Sequence, residues 1–487
     1  MKTRNLAIVI CFILVSAVLA GSAAAQPALT LTPSIGPPTS QTQLSGSGFY
    51  PYEAVDVYFD FTDVVLKVTS EEGGLSYDLT VPASAQPGTH WITLVGRSSS
   101  AAAQAAFTVR TDWPQFHRKS NHQGRNLLEN VLSPGNVPNL TQAWSYSTNH
   151  YVDSSPAVAG CKVYAGSWDK RVYALDAATG DKIWVKLLGD AIYSSPAVNG
   201  NKVFVGCINS KIYALSVATG AILWHYVTGG PIYSSPAVAN GSVYITSTDK
   251  KVYSLKATDG TRNWFFLTGG PVVSSPAVAG EVVYVASYDS KVYALKTTTG
   301  AKLWEFVTGD MVDSSPVVAG GKVFVGSNDG KVYGLKAVSG AKLWEFETGG
   351  PVVSSPAVSG GWVYVGSTDG KVYALKAGTG AKRWEFATGD QVNSSHAVAG
   401  GVVFVGSKDG KIYALDAASG DQLWEYPTGD WINLSSPSVA NGMLYVGSYD
   451  CKVHCFNVES ELNRGADRVG RPDPAALQPD LSLPLTR

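Results

Sequence analysis

Between residues 141 and 460, apolar and polar positions alternate in short runs, and the whole pattern returns every forty residues. In the copy opened by Ser314-Ser315-Pro316, Lys322-Val323-Phe324-Val325-Gly326-Ser327 is followed by an Asn328-Asp329-Gly330 turn and Lys331-Val332-Tyr333-Gly334-Leu335. A Val338-Ser339-Gly340 turn then leads to Leu343-Trp344-Glu345-Phe346. Period-two alternation bounded by Asp-Gly and Ser-Gly turns predicts strands joined by hairpins. Four such strands per forty residues leave no room for a helix and predict a propeller blade.

The ends of the repeat predict its count and closure. Ser-Ser pairs open copies at 154, 194, 234, 274, 314, 354, 394 and 435. Tryptophans recur at Trp144, Trp184, Trp224, Trp264, Trp304, Trp344, Trp384 and Trp424. The last copy ends without a tryptophan strand, and Trp144 precedes the first Ser-Ser pair. The expected fold is therefore all-β: an eight-bladed β-propeller over 141–460, in which an N-terminal strand at 142–147 completes the last blade and removes the free sheet edges. Each indole is expected to wedge between blades, where burying ~200 Å² contributes up to about 5 kcal/mol.

Upstream, alternation recurs over 42–49, 54–60, 64–70, 75–82, 90–97 and 102–110 with Gly and Pro turns between, which predicts a β-sandwich at 27–110. Leu44-Ser45-Gly46-Ser47-Gly48-Phe49 and Val81-Pro82-Ala83-Ser84-Ala85-Gln86-Pro87-Gly88-Thr89 resemble bacterial immunoglobulin-like domains. Residues 111–140 read as a linker and 461–487 as a disordered tail. Lys2 and Arg4, the apolar stretch 6–20 and Ala23-Ala24-Ala25 read as a signal peptide at 1–25. A secreted or cell-envelope monomer with no transmembrane segment after cleavage is expected.

A net charge of −1 argues against nucleic acid, which rewards a basic face. Cys161, Cys207, Cys451 and Cys455 occupy different columns of the repeat and form no disulfide framework. Cys451 and Cys455 on one strand would stand about 13 Å apart, too far to bridge. No metal site is expected.

Ala174-Leu175-Asp176-Ala177-Ala178-Thr179-Gly180-Asp181-Lys182-Ile183-Trp184 and Ala414 through Trp424 resemble the pyrroloquinoline-quinone (PQQ)-type propeller repeat, and Trp113-Pro114-Gln115-Phe116 resembles its lead-in. The resemblance implies an eight-bladed ring. Quinoprotein dehydrogenases of this kind carry an adjacent Cys-Cys pair and calcium ligands on long excursions, and this chain has neither.

Most repeat columns are monotonous and read as architecture. The turn aspartates, Asp169 to Asp450, read as hairpin chemistry. The Thr-Gly column, Asn149 and Gly189 to Gly429, is expected to need positive φ. One column varies: Asp153, Tyr193, Tyr233, Val273, Asp313, Val353, Asn393 and Leu434, just ahead of each Ser-Ser pair. It is expected at the mouth of a central funnel, where Tyr193 and Tyr233 would stack a flat ligand while Asp153, Asp313 and Asn393 accept hydrogen bonds. Trp431, beside the one-residue insertion of the last copy, joins these ligand-binding candidates. Trp168, Trp362 and His396 also break their columns. No serine has a distinct histidine partner, so no catalytic residue is assigned. The favoured function is a non-catalytic binding or scaffold protein presenting a propeller face to a protein or glycan, with no cofactor. The alternative is a PQQ-dependent oxidoreductase with calcium and a reduced site at Asp153, Asp313 and Asn393.

Overall fold

The computed structural model describes residues 26–458 and 472–477. The signal peptide expected at 1–25, and the tail apart from 472–477, lie outside the described residues. Residues 28–109 form two sheets. Ala28–Thr32, Gln41–Ser47 and Leu75–Thr80 make one; Ile35–Gly36, Ala102–Val109, Gly88–Gly96, Ala54–Phe59 and Thr62–Val68 make the other. Leu44, Val55, Leu79, Ile92 and Phe107 meet in one buried core between them. The strands at 28–32 and 35–36 lie outside the predicted runs. Pro33 offers no N–H to a ladder, and the run divides there, one half joining each sheet.

Among the described residues, eight sheets follow, each with four antiparallel strands; the one containing Ala397–Ala399 gains a fifth, Arg125–Asn126, paired parallel to that strand. A representative one consists of Val317–Ala319, Lys322–Gly326, Lys331–Lys336 and Lys342–Glu347. The short first strands contact one another in sequence order, and the eighth, Ser438–Ala440, also contacts the first, Ala157–Ala159. The outer strand of the last sheet is Leu140–Ser147, paired antiparallel with Lys452–Val458. It begins two residues earlier than predicted. Trp144 lies opposite Cys455, with its ring 5.9 Å from that of Tyr445.

Serine hydroxyls tie the first strands together. Ser155 N–H donates to Ser195 Oγ, Ser195 to Ser235, and so on through Ser275, Ser315, Ser355, Ser395 and Ser436, whose N–H returns to Ser155 Oγ, all at 2.8–3.2 Å. A net contribution of about 1 kcal/mol per bond makes this circle a substantial tie. The first serine of each pair braces its own sheet, as where Ser314 Oγ accepts from Gly326 N–H at 3.1 Å, and Ser394 and Ser435 also donate to Ser435 O and Ser154 O of the next sheet.

The indoles hold the outer parts of neighbouring sheets. Trp304 Nε1 donates to Ala337 O of the next sheet at 2.9 Å. Its ring lies against Gly340, where φ is +71° and a Cβ would approach Trp304 Cε3 to 2.6 Å. Six of the eight indoles are buried, and Trp224 and Trp424 are half-buried.

The Thr-Gly column departs from expectation. Only Gly189 and Gly429 have left-handed φ there. At Gly229, Gly269, Gly309, Gly349 and Gly389 the cause is close approach: each N–H donates to the turn aspartate of the next sheet at 2.7 Å. A Cβ would sit 2.8–2.9 Å from that oxygen. The same aspartate takes a hydrogen bond from a tyrosine, as in Tyr333–Asp329 at 2.6 Å. His454, which replaces this tyrosine, places Nε2 3.0 Å from Asp450 Oδ2.

The segment read as a linker is instead a plug. Trp113 N–H donates to Val158 O, while Val198, Val278, Val318, Val358 and Val398 N–H donate to Pro114, Ser120, Asn121, Gln123 and Gly124 carbonyls at 2.6–3.0 Å. Gln115 Oε1 accepts from Val238 N–H, and Asn126 Nδ2 donates to Val439 O. All eight first strands therefore find partners in 113–126. Polar backbone at the ring centre must be paired, and a free spacer would leave it bare. His117, His122 and His396 are buried with the plug, and burial pushes their imidazoles down to about 4, about 3 and about 3.

Trp304→Ala is expected to cost about 3–5 kcal/mol, read by denaturant unfolding; wild-type stability would contradict the wedge role. The three imidazoles are neutral in the fold, while their unfolded counterparts take up protons below about pH 6.5. Stability is therefore expected to fall as pH drops through this range toward about 4. Seven repeats carry proline where His396 stands, and both its ring nitrogens are buried without partners. His396→Pro should raise the melting temperature and flatten its acid slope; a steeper slope would refute this assignment.

Candidate functional site

The first strands all begin at one end of the ring, so the residues ahead of the Ser-Ser pairs surround one opening. A cavity of about 490 Å³ lies there. Asp153, Tyr193, Tyr233, Asp313 and Asn393 all line it, with Val273, Val353 and Leu434 from the same column. The ring serines, Ser195 to Ser395, form its deeper wall, and Phe116 of the plug also lines it. Trp431 is not among the lining residues. It stands at the rim, 48% exposed, with its ring 6.3 Å from Tyr449 and Lys408 Nζ 5.6 Å above it.

An arc of aromatic rings joins these positions. Tyr449 stacks on Tyr151 at 4.3 Å and 5°, Tyr151 meets Trp168 at 5.3 Å, Trp168 meets Tyr193 at 4.7 Å, and Tyr193 meets Tyr233 at 5.1 Å. Tyr288 continues the wall and donates to Asp313 Oδ1 at 2.5 Å. Tyr151, Tyr288 and Tyr449 escaped the sequence reading, which took Trp168 only as a column break. A signal was present: the column Trp168, Ile208, Thr248, Tyr288, Asn328, Thr368, Lys408 and Tyr449 varies as much as the column ahead of the Ser-Ser pairs. Trp362 lies elsewhere, under Arg383 at 4.5 Å.

Asp153 is buried; its Oδ1 accepts from Leu434 N–H at 3.2 Å and Oδ2 from Tyr449 O–H at 2.8 Å. Burial pushes its carboxyl up to about 6, against the opposing pull of these two hydrogen bonds, Trp168 and Lys408. Asp313 Oδ2 accepts from Asn328 Nδ2 at 2.8 Å. Asn393 donates to Asn433, and Asn433 to Tyr449 O–H. Among the described residues, no Lys, Arg or His lines the cavity. The ring serine oxygens accept backbone N–H groups, which suits tethering rather than nucleophilic attack. Among the described residues, no group of three or more His, Cys, Asp or Glu side chains is placed to hold a metal. The four described cysteines are free. No helix of the described residues is long and apolar enough to cross a membrane.

The family model described as outer membrane protein assembly factor BamB matches residues 101–193, 168–311, 228–337 and 368–461, more than half of the chain. No curated protein sequence matches. Among solved structures, BamB from Moraxella catarrhalis aligns at 22% identity over 65% of this chain and 99% of its own, with a TM-score of 0.59. Quinohemoprotein alcohol dehydrogenase ADHIIG from Pseudomonas putida HK5 aligns at 19% over 76% and 82%, TM-score 0.64. A europium-containing methanol dehydrogenase aligns at 15% over 71% and 98%, TM-score 0.63. At these identities the likeness concerns the fold, an all-β propeller of the PQQ type.

Asp153 is protonated below about pH 6 in the fold and below about 4 when unfolded, so its ionisation costs stability as pH rises between them. Asp153→Asn is expected to gain roughly 1–3 kcal/mol at about pH 8 and nothing near pH 4. Urea unfolding at the two pH values checks this; a variant less stable at the higher pH would contradict it.

Proposed function

The chain belongs to the family described as outer membrane protein assembly factor BamB, and from that membership we propose that it is an extracytoplasmic, non-catalytic binding protein. Its working surface is the funnel mouth, which holds a protein or glycan partner. The observation that carries this reading is the aromatic arc around the cavity. It breaks the repeat at that end, and exposed rings such as Tyr233 and Trp431 suit apolar faces of a ligand. In this proposal the eight sheets are the blades of one eight-bladed ring. Residues 27–110 form an immunoglobulin-like spacer, and 1–25 direct export.

The quinone alternative finds less support. Pyrroloquinoline quinone is a tricarboxylate, and a cavity lined by Asp153 and Asp313 without a basic side chain repels such a group rather than neutralising it. The residues present do not fit the cofactor.

The test is retention of partners by the full chain, from envelope proteins and a glycan panel. Tyr233→Ala with Trp431→Ala should weaken retention about tenfold or more with unchanged melting temperature. Partner retention indifferent to both changes would remove the mouth as the binding surface. Purified protein mixed with the quinone and calcium should acquire no bound chromophore; a stoichiometric, dye-reducing complex would overturn the reading.

A further inference from the structure

The mouth cavity carries hydrogen-bond acceptors and negative charge in excess. Asp153 and Asp313 belong to the first and fifth of eight sheets and so face each other across the ring. Between them, on the three intervening sheets, stand Tyr193, Tyr233 and Tyr288. Asn393 Oδ1 and Asn328 Oδ1 are buried with no donor, and each ring serine oxygen retains an acceptor position. Just ahead of the lining column the chain adds Asp190, Asp310, Asp390 and Asp430. Lys408, a cation near Asp153, is bonded to Gln391 Oε1 at 3.1 Å and placed over Trp431, outside the lining.

A carboxylate withdrawn from water without a cationic partner attracts one strongly. Tyrosine faces add to that attraction. We infer that this cavity takes a linear aliphatic polyamine, its terminal ammonium groups at Asp153 and Asp313 and its methylenes across the Tyr193 and Tyr233 rings. The two terminal ammonium groups then meet the two carboxylates. A neutral sugar would leave both carboxylates uncompensated. A bare metal ion needs six or more converging oxygens, which opposed walls do not bring together. The inference rests on the reading of the mouth as a ligand surface and adds a small-molecule ligand beneath the face a partner would cover.

Calorimetric titration of the full chain with spermidine tests it, with propylamine as a single-ended amine and a neutral diol of similar length as controls. One spermidine per chain is expected, with propylamine about tenfold weaker or worse and no binding of the diol. Asp313→Asn and Tyr233→Ala should each weaken spermidine about tenfold with melting temperatures unchanged, and Asp153→Asn provides an independent third variant. No saturable spermidine binding, or an affinity indifferent to Asp313→Asn and Tyr233→Ala, overturns the inference. If a glycan or envelope protein binds in a Tyr233-dependent way while spermidine does not, the polyamine assignment falls and the mouth reading stands. If Tyr233→Ala and Trp431→Ala alter no binding at all, both fall.

Discussion

Backbone polar groups at the centre of the ring must find partners, and the architecture is organised around that obligation. Each first strand has three residues and one antiparallel neighbour, so its other edge faces the axis with N–H and C=O groups that this ladder leaves unpaired. Two devices satisfy them. The serine circle links each sheet to the next through a hydroxyl, and 113–126 supplies carbonyls and amide side chains to the central valines. The plug also limits the depth of the cavity, because Phe116 lines it from that side. Closure at the outer edge is a separate matter, handled by Leu140–Ser147 and the indoles.

A scaffold built from repeated ties leaves little freedom for repeat-wide columns. Five of the turn aspartates, Asp249, Asp289, Asp329, Asp369 and Asp409, are bound to a tyrosine, to their own hairpin and to a glycine N–H of the preceding crossing, as at Asp329. Individuality collects where nothing repeats: the mouth, and the plug with its three buried imidazoles. The two regions differ in kind. At the mouth a buried carboxylate and an aromatic arc face a cavity, whereas His117, His122 and His396 face packed protein.

The mouth was legible because variation stood out against a monotonous background. Asp153, Tyr193, Tyr233, Asp313 and Asn393 share a register relative to the Ser-Ser pairs, and equal register in a ring means equal height around the axis. Tyr151, Tyr288 and Tyr449 were harder to see, since they reach the same opening from other columns. Trp431 shares the face but not the cavity. The Thr-Gly column misled because a glycine required by a neighbour's oxygen looks, in sequence, like one required by its own φ.

Local chemistry settled the rest unevenly. Forty-residue periodicity, turn residues and alternation determined the strands, their antiparallel order within a copy and the early strand that pairs with the last, because these depend on contacts close in register. The role of 113–126 came only from the tertiary structure. Its partners lie in all eight sheets, from Val158 to Val439, and no local pattern records contacts spread over so long a stretch of chain. The same holds for the balance of charge in the cavity: Asp153 and Asp313 are 160 residues apart in the chain, and only folding sets them on opposite walls of one space without a cation between them.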